Sequence, residues 1–127
     1  MKLRIQGNSL RLRLSQSEVA QFSKTGFVED GTEFAPGIRF TYSIESTSSL
    51  TAPLASYHDH WLRFQIPAAA ATEWFTSDRV AITSEQSIAP DKVLSILIEK
   101  DFQCLHGGTE RDPDAYPNPL EETAPRT

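Results

Sequence analysis

The sequence predicts an α+β fold: a mainly antiparallel curved sheet, or a partly closed barrel, with two helices, built from a β-α-β-β unit used twice. Three observations predict it. Apolar and polar residues alternate with period two along several short stretches, as half-buried strands require. A capping-box pattern and a run of alanines after a proline mark two helices. And the order strand, helix, strand, strand returns after about fifty residues, the mark of a repeated supersecondary unit.

Residues 2–14 read as a hairpin. Leu3, Ile5, Leu10, Leu12 and Leu14 alternate with Lys2, Arg4, Gln6, Arg11 and Arg13 around Gly7-Asn8, two types suited to a tight turn. A two-residue loop sets Leu3 opposite Leu12 and Ile5 opposite Leu10, and with them Arg4 opposite Arg11 and Lys2 opposite Arg13. Ser15-Gln16-Ser17-Glu18 is the capping box. Val19 and Phe22 follow at helical spacing and Gly26 supplies a stop, so a helix is expected over roughly 16–25. Phe27 to Phe34 reads as a strand with a turn near Asp30-Gly31, and Ile38 to Glu45 as a half-buried strand.

Ser46 to Ser56, rich in Ser and Thr and holding Pro53, reads as loop. The pattern then restarts. Leu62-Arg63-Phe64-Gln65-Ile66 matches Leu10-Arg11-Leu12-Arg13-Leu14, and Ala71 and Trp74 stand where Val19 and Phe22 stood, 52 residues on. Pro67 opens the second helix, Val80 and Ile82 form a short strand, and Val93 to Glu99 a final one. Ile98-Glu99 lies 54 residues after Ile44-Glu45, so the second unit carries a two-residue insertion. The organisation expected is one α+β domain over 1–105, with repeats at about 10–45 and 62–99 and a linker at 46–60. An acidic, proline-rich tail over 106–127 completes the chain. Phe102, Leu105 and Tyr116 are candidates to anchor the start of the tail, and its last residues are expected to be mobile.

The chain has 127 residues, 39% hydrophobic and 23% charged, with a formal net charge of −5. That sign argues against a general nucleic-acid binder. The acidity is local: Asp101, Glu110, Asp112, Asp114, Glu121 and Glu122 face only Arg111 and Arg126 after residue 100. Cys104 is the one cysteine, so no internal disulfide forms and a reducing compartment is expected. The start of the chain has no continuous apolar run, so neither a signal peptide nor a membrane span is read there, and the expected location is cytoplasmic.

The chemistry centres on the polar face of the first hairpin. Lys2, Arg4, Arg11 and Arg13 set like charges against each other across two strands, and Arg39 and Arg63 are candidates to join them. Such a face suits phosphate or carboxylate. The competing reading is a solvated face whose charges are balanced by Glu33, Glu45, Glu99 or the tail. An anionic small molecule or protein is the expected partner. A phosphate-handling hydrolase with Glu45 or Glu99 as acid–base group is the alternative. His58-Asp59-His60, with Cys104 and His106, is a weak metal pattern, better read as exposed histidines. Cys104 is better read as a small hydrophobe than as a nucleophile. Trp61, Trp74 and Phe75 read as core or helix-packing residues. No cofactor or metal motif stands out.

The start Met1-Lys2-Leu3-Arg4-Ile5-Gln6-Gly7-Asn8-Ser9-Leu10-Arg11-Leu12-Arg13-Leu14, with Ser17-Glu18-Val19, resembles a family of short uncharacterised bacterial proteins. The segment Leu97-Ile98-Glu99-Lys100-Asp101-Phe102-Gln103-Cys104-Leu105 and Tyr116-Pro117-Asn118-Pro119 resemble it too. The resemblance implies a bacterial, cytoplasmic, stand-alone domain and carries no functional residue. In architecture alone the basic strands resemble triphosphate-tunnel enzymes. Lys2, Arg4 and Gln6 stand where those enzymes place metal-binding acids, which argues against that chemistry.

Overall fold

The computed structural model describes residues 1–102, 114 and 116. Ten elements follow one another: β1 Lys2–Gln6, β2 Ser9–Leu14, α1 Gln16–Thr25, β3 Phe27–Ala35, β4 Ile38–Thr47, β5 Leu54–His58, β6 Trp61–Pro67, α2 Ala68–Thr76, β7 Ala81–Ala89 and β8 Lys92–Lys100. The repeat is therefore β-β-α-β-β, one strand longer at its start than the pattern alone suggested. The missing strand of the second copy is β5, inside the stretch read as linker. It is a five-residue edge strand with Ser56, Tyr57 and His58 exposed, so no apolar alternation announces it.

The strands form two four-stranded sheets, ordered β1-β2-β8-β7 (sheet A) and β3-β4-β6-β5 (sheet B). The first hairpin of each copy joins the second hairpin of the other, through parallel pairs β2–β8 and β4–β6. Both sheets are mixed, and they do not close into a barrel. The seam between edge strands β5 and β7 is bridged by one side chain: the Gln86 amide accepts from the Ala55 N–H at 2.8 Å and donates to the Ala55 carbonyl at 2.9 Å. On the other side the Tyr42 hydroxyl donates to the Met1 carbonyl at 2.9 Å.

Local chemistry explains the elements. The β1–β2 register is the one the two-residue Gly7-Asn8 loop requires, with Gly7 at φ 54°. Ser15 and Glu18 complete both halves of the capping box, and Gly26, at φ 72°, returns its N–H to the Phe22 carbonyl at 2.8 Å. Asp30-Gly31 is not a turn: β3 runs through it to Ala35, and the hairpin turns at Pro36-Gly37. Gly31 is there for clearance. A Cβ would lie 2.6 Å from the Phe40 carbonyl oxygen and 2.7 Å from Arg39 Nε. Likewise β7 is no short strand but runs from Ala81 to Ala89.

The inner faces of both sheets and the helices share one core, and it is assembled from repeat-equivalent residues. Leu10, Leu12 and Leu14 match Leu62, Phe64 and Ile66; Val28 matches Ile82; Ile44 matches Ile98. Phe22 and its equivalent Trp74 meet edge to face at 6.2 Å, which places the repeat axis between them. Backbone bonds repeat too. Ser95 N–H donates to the Asn8 carbonyl as Thr41 N–H does to that of His60, and Lys100 N–H donates to Val80 as Ser46 N–H does to Gly26. No helix among the described residues is long and apolar enough to cross a membrane.

Candidate functional site

Alternation in sheet A sends Leu3, Leu10, Leu12, Ile96 and Ile98 inward and leaves a plate of side chains on the outer face. Register fixes its rows: Lys2–Arg13–Glu99–Ala81, Arg4–Arg11–Leu97–Thr83 and Gln6–Ser9–Ser95–Glu85. Four of the six cations expected from the sequence, Lys2, Arg4, Arg11 and Arg13, are together here. Arg39 and Arg63 are not. They lie on the outer face of sheet B, across the core.

Glu99 organises the plate. Its side chain is 12% exposed, and its Oε1 accepts from Arg11 Nε at 2.7 Å and Arg13 Nε at 2.5 Å. Burial opposes ionisation of Glu99, but the hydrogen bonds from Arg13 and Arg11 outweigh it, so its carboxyl sits below the usual range. The bond to Glu99 in turn raises Arg13. Lys2 Nζ pairs with Asp101 at 3.0 Å, and that hydrogen bond lowers Asp101. Arg4 has no acid partner among the described residues; its Nη2 donates to Gln6 Oε1 at 3.2 Å. Two shallow hollows of about 210 and 190 Å³ flank the Arg4–Arg11 pair.

On sheet B the same positions are closed. Glu45 accepts from Arg63, whose guanidinium also lies 5.2 Å over the Trp61 ring. Trp61 is therefore not a core residue. It lies half-buried on the outer face, and its Nε1–H donates to Ser43 Oγ at 2.8 Å. Trp74 is fully buried and Phe75 partly so, as expected. Arg39 folds back over Gly31.

The histidine pattern dissolves. Asp59 and His60 form the β5–β6 turn, at φ 50° and 61°, so His58 and His60 do not share a strand face. No group of three or more potential metal-ligating side chains occurs among the described residues. Cys104, His106 and Leu105 lie outside them. Phe102 and Tyr116 are 64% and 97% exposed, and Phe102 lines a hollow with Leu14 and Val19.

A second surface was not foreseen. All four hairpin turns, at 7–8, 36–37, 59–60 and 90–91, fall at the end of the molecule opposite the helices, and the two sheets part there around an apolar cleft of about 410 Å³. Its lining consists of three repeat-equivalent pairs, Ile5 with Tyr57, Leu10 with Leu62 and Phe40 with Leu94, together with Ala55 and Ser56. The β3–β4 and β7–β8 hairpins outrun their neighbours, since β6 pairs only from Thr41 and β2 only from Ser95. Each tip bears a bulge at an equivalent apolar residue, Phe34 or Ile88. Ile5, Tyr57, Phe34, Ile38, Ile88 and Val93, between 43% and 72% exposed, gather at this end. A sequence signal existed: Phe34-Ala35-Pro36 and Ile88-Ala89-Pro90 recur 54 residues apart, in step with the final strand of each copy.

The model of a family described as Family of unknown function (DUF7009) matches residues 1–120. The chain belongs to that family. No curated protein and no solved structure matches it. The family therefore brings no assigned activity, and any role for these residues rests on their geometry.

Proposed function

We propose that the protein is a binding module whose working surface is the apolar mouth between the two sheets. One observation carries this reading: the cleft between the sheets is apolar, with exposed Ile5 and Tyr57 in its lining and exposed Phe34, Ile38 and Ile88 on the hairpins of the same end. Scattered exposed hydrophobes are ordinary, but several gathered at one end beside an apolar concavity mark a recognition site. The cleft volume falls in the range of small-molecule sites, about 300–1,000 Å³. Phe34 and Ile88 occupy bulged hairpin tips away from the core, and Tyr57, 62% exposed, packs only its ring against Phe40 at 6.4 Å. A cytoplasmic setting is part of the proposal, supported by the single cysteine of the sequence.

The two groups the hydrolase alternative would use are already engaged. Glu45 and Glu99 each hold arginine, and Glu99 is biased towards its ionised form, whereas a general acid needs the opposite bias. The mouth is tested with an uncharged solvatochromic dye such as Nile red. Saturable enhancement at about one dye per chain is expected, lost in Tyr57→Ser and Ile5→Ser with the melting temperature preserved. No enhancement with the native protein, or enhancement indifferent to both substitutions, overturns the reading.

A further inference from the structure

We propose that Arg4, Arg11 and Arg13 on the outer face of sheet A form a receptor for a phosphate monoester group. The site is independent of the apolar mouth. Its argument comes from comparing the two copies of the repeat, which present the same architecture with different chemistry.

Both copies contain one arginine–glutamate pair across the parallel strands: Arg11 with Glu99 on sheet A, Arg63 with Glu45 on sheet B. That pair is common to the two faces and accounts for what the fold asks of this position. Three further cations on sheet A have no counterpart. Lys2, Arg4 and Arg13 correspond to Leu54, Ser56 and Gln65, and sheet B folds with those neutral residues. The excess is thus not a requirement of the architecture. It is also locally unfavourable, because Arg4 and Arg11 stand directly opposite each other and like charges so placed repel. On this face four cations meet Glu99 and Asp101, with Glu85 two strands from Arg11 on the far edge strand. An anion at the Arg4–Arg11 pair relieves the repulsion.

The geometry selects the kind of anion. Arg11 and Arg13 both approach Glu99 through Nε and meet the same carboxylate oxygen. A guanidinium has five N–H donors, so the Nη donors of both remain available while Glu99 fixes their orientation. Arg4 adds a third guanidinium and Ser9 a hydroxyl at the rim of the hollow. A planar carboxylate engages one guanidinium fork well. A tetrahedral phosphate oxyanion offers three oxygens to several forks at once and carries the larger charge. The hollows are shallow and open, which leaves room for whatever the ester is attached to.

Calorimetric titration at low ionic strength tests the site, with inorganic phosphate, phenyl phosphate, benzoate and a short phosphoserine peptide as probes. Phenyl phosphate is expected to bind more tightly than benzoate, and Arg4→Gln or Arg11→Gln to weaken it about tenfold or more. Arg63→Gln, which removes the matching arginine on sheet B, and the mouth variant Tyr57→Ser should leave it unchanged. Raising salt should weaken binding. Tighter binding of the peptide than of phenyl phosphate assigns the group to a partner protein, and the reverse order to a free ester. Absence of phosphate binding at low salt, binding no stronger than that of benzoate, or equal losses in Arg4→Gln and Arg63→Gln overturns the proposal. Arg4 is exposed and packs against nothing in the core, so its variant folds and keeps the test decisive.

Discussion

The two ends of this molecule are made from the same repeat and treated oppositely. At one end α1 and α2 converge on the repeat axis and the Phe22 and Trp74 rings close the space between the sheets. The polar ties of sheet A gather towards that end as well: Lys2 with Asp101, Arg13 with Glu99, and the N–H of Asp101 to the Leu14 carbonyl at 2.8 Å. At the other end the strands stop in hairpin turns, no helix arrives, and apolar side chains face solvent around a cleft. A duplicated unit has to resolve its axis at both ends. Here one end is closed between the sheets by the helices, with a hollow of about 590 Å³ beside Leu14, Val19, Lys100 and Phe102, and the other is left open between the sheets.

The sharpest way to test that division is to open the closed end. Trp74→Ala removes a fully buried indole that touches its repeat equivalent and donates from Nε1 to the Val80 carbonyl at 2.9 Å. The loss should be about 3–5 kcal/mol by denaturant melt, as for other large-to-small aromatic core changes. A loss under about 1 kcal/mol would mean that the helices do not seal the core as described.

Acid should act next, and through the same end. Glu99 has a folded-state pKa below its ordinary value, so the stability its pairing contributes is fully present above that ordinary range, about pH 4.3. It drains away as pH falls through the lowered value, because the unfolded chain then binds the proton more readily. Asp101, lowered by Lys2, adds in the same direction from a more exposed site. Melting temperature followed from pH 7 to pH 2 should fall below about pH 4, and Glu99→Gln should start lower and show a flatter acid limb. An acid limb identical in the variant would remove Glu99 from the account.

How much of this contrast was legible beforehand depends on how local each cause is. The β1–β2 register followed from Gly7-Asn8 and the apolar pairs Leu3–Leu12 and Ile5–Leu10. The first helix followed from Ser15 and Glu18, which cap it through bonds three residues apart. The exchange of hairpins between copies did not follow. Alternation in β2 says which side of Leu12 is buried but nothing about whether β4 or β8 lies alongside. Gly31 was misread for a related reason: its demand comes from the Phe40 carbonyl on the neighbouring strand, with Arg39 beside it, not from its own backbone. The basic plate was half legible. Lys2, Arg4, Arg11 and Arg13 followed from hairpin register, but Arg39 and Arg63 could be separated from them only by knowing that their strands belong to the other sheet. The mouth was least legible, because Tyr57 and Phe34 have the composition of core residues and only the finished topology leaves them uncovered.

That last point yields the smallest and most discriminating effect. If the open end is left apolar for recognition, its side chains contribute little to stability, and replacing them with polar residues should cost almost nothing. Phe34→Ser and Ile88→Ser, alone or together, should shift stability by no more than about 0.5 kcal/mol, the ordinary range for surface substitutions. The pair sits on equivalent bulges of two separate hairpins, so their effects should add. A double variant that loses 2 kcal/mol or more would show that these residues are packed in the working protein, and the two ends would then differ in the manner of their closure rather than in function.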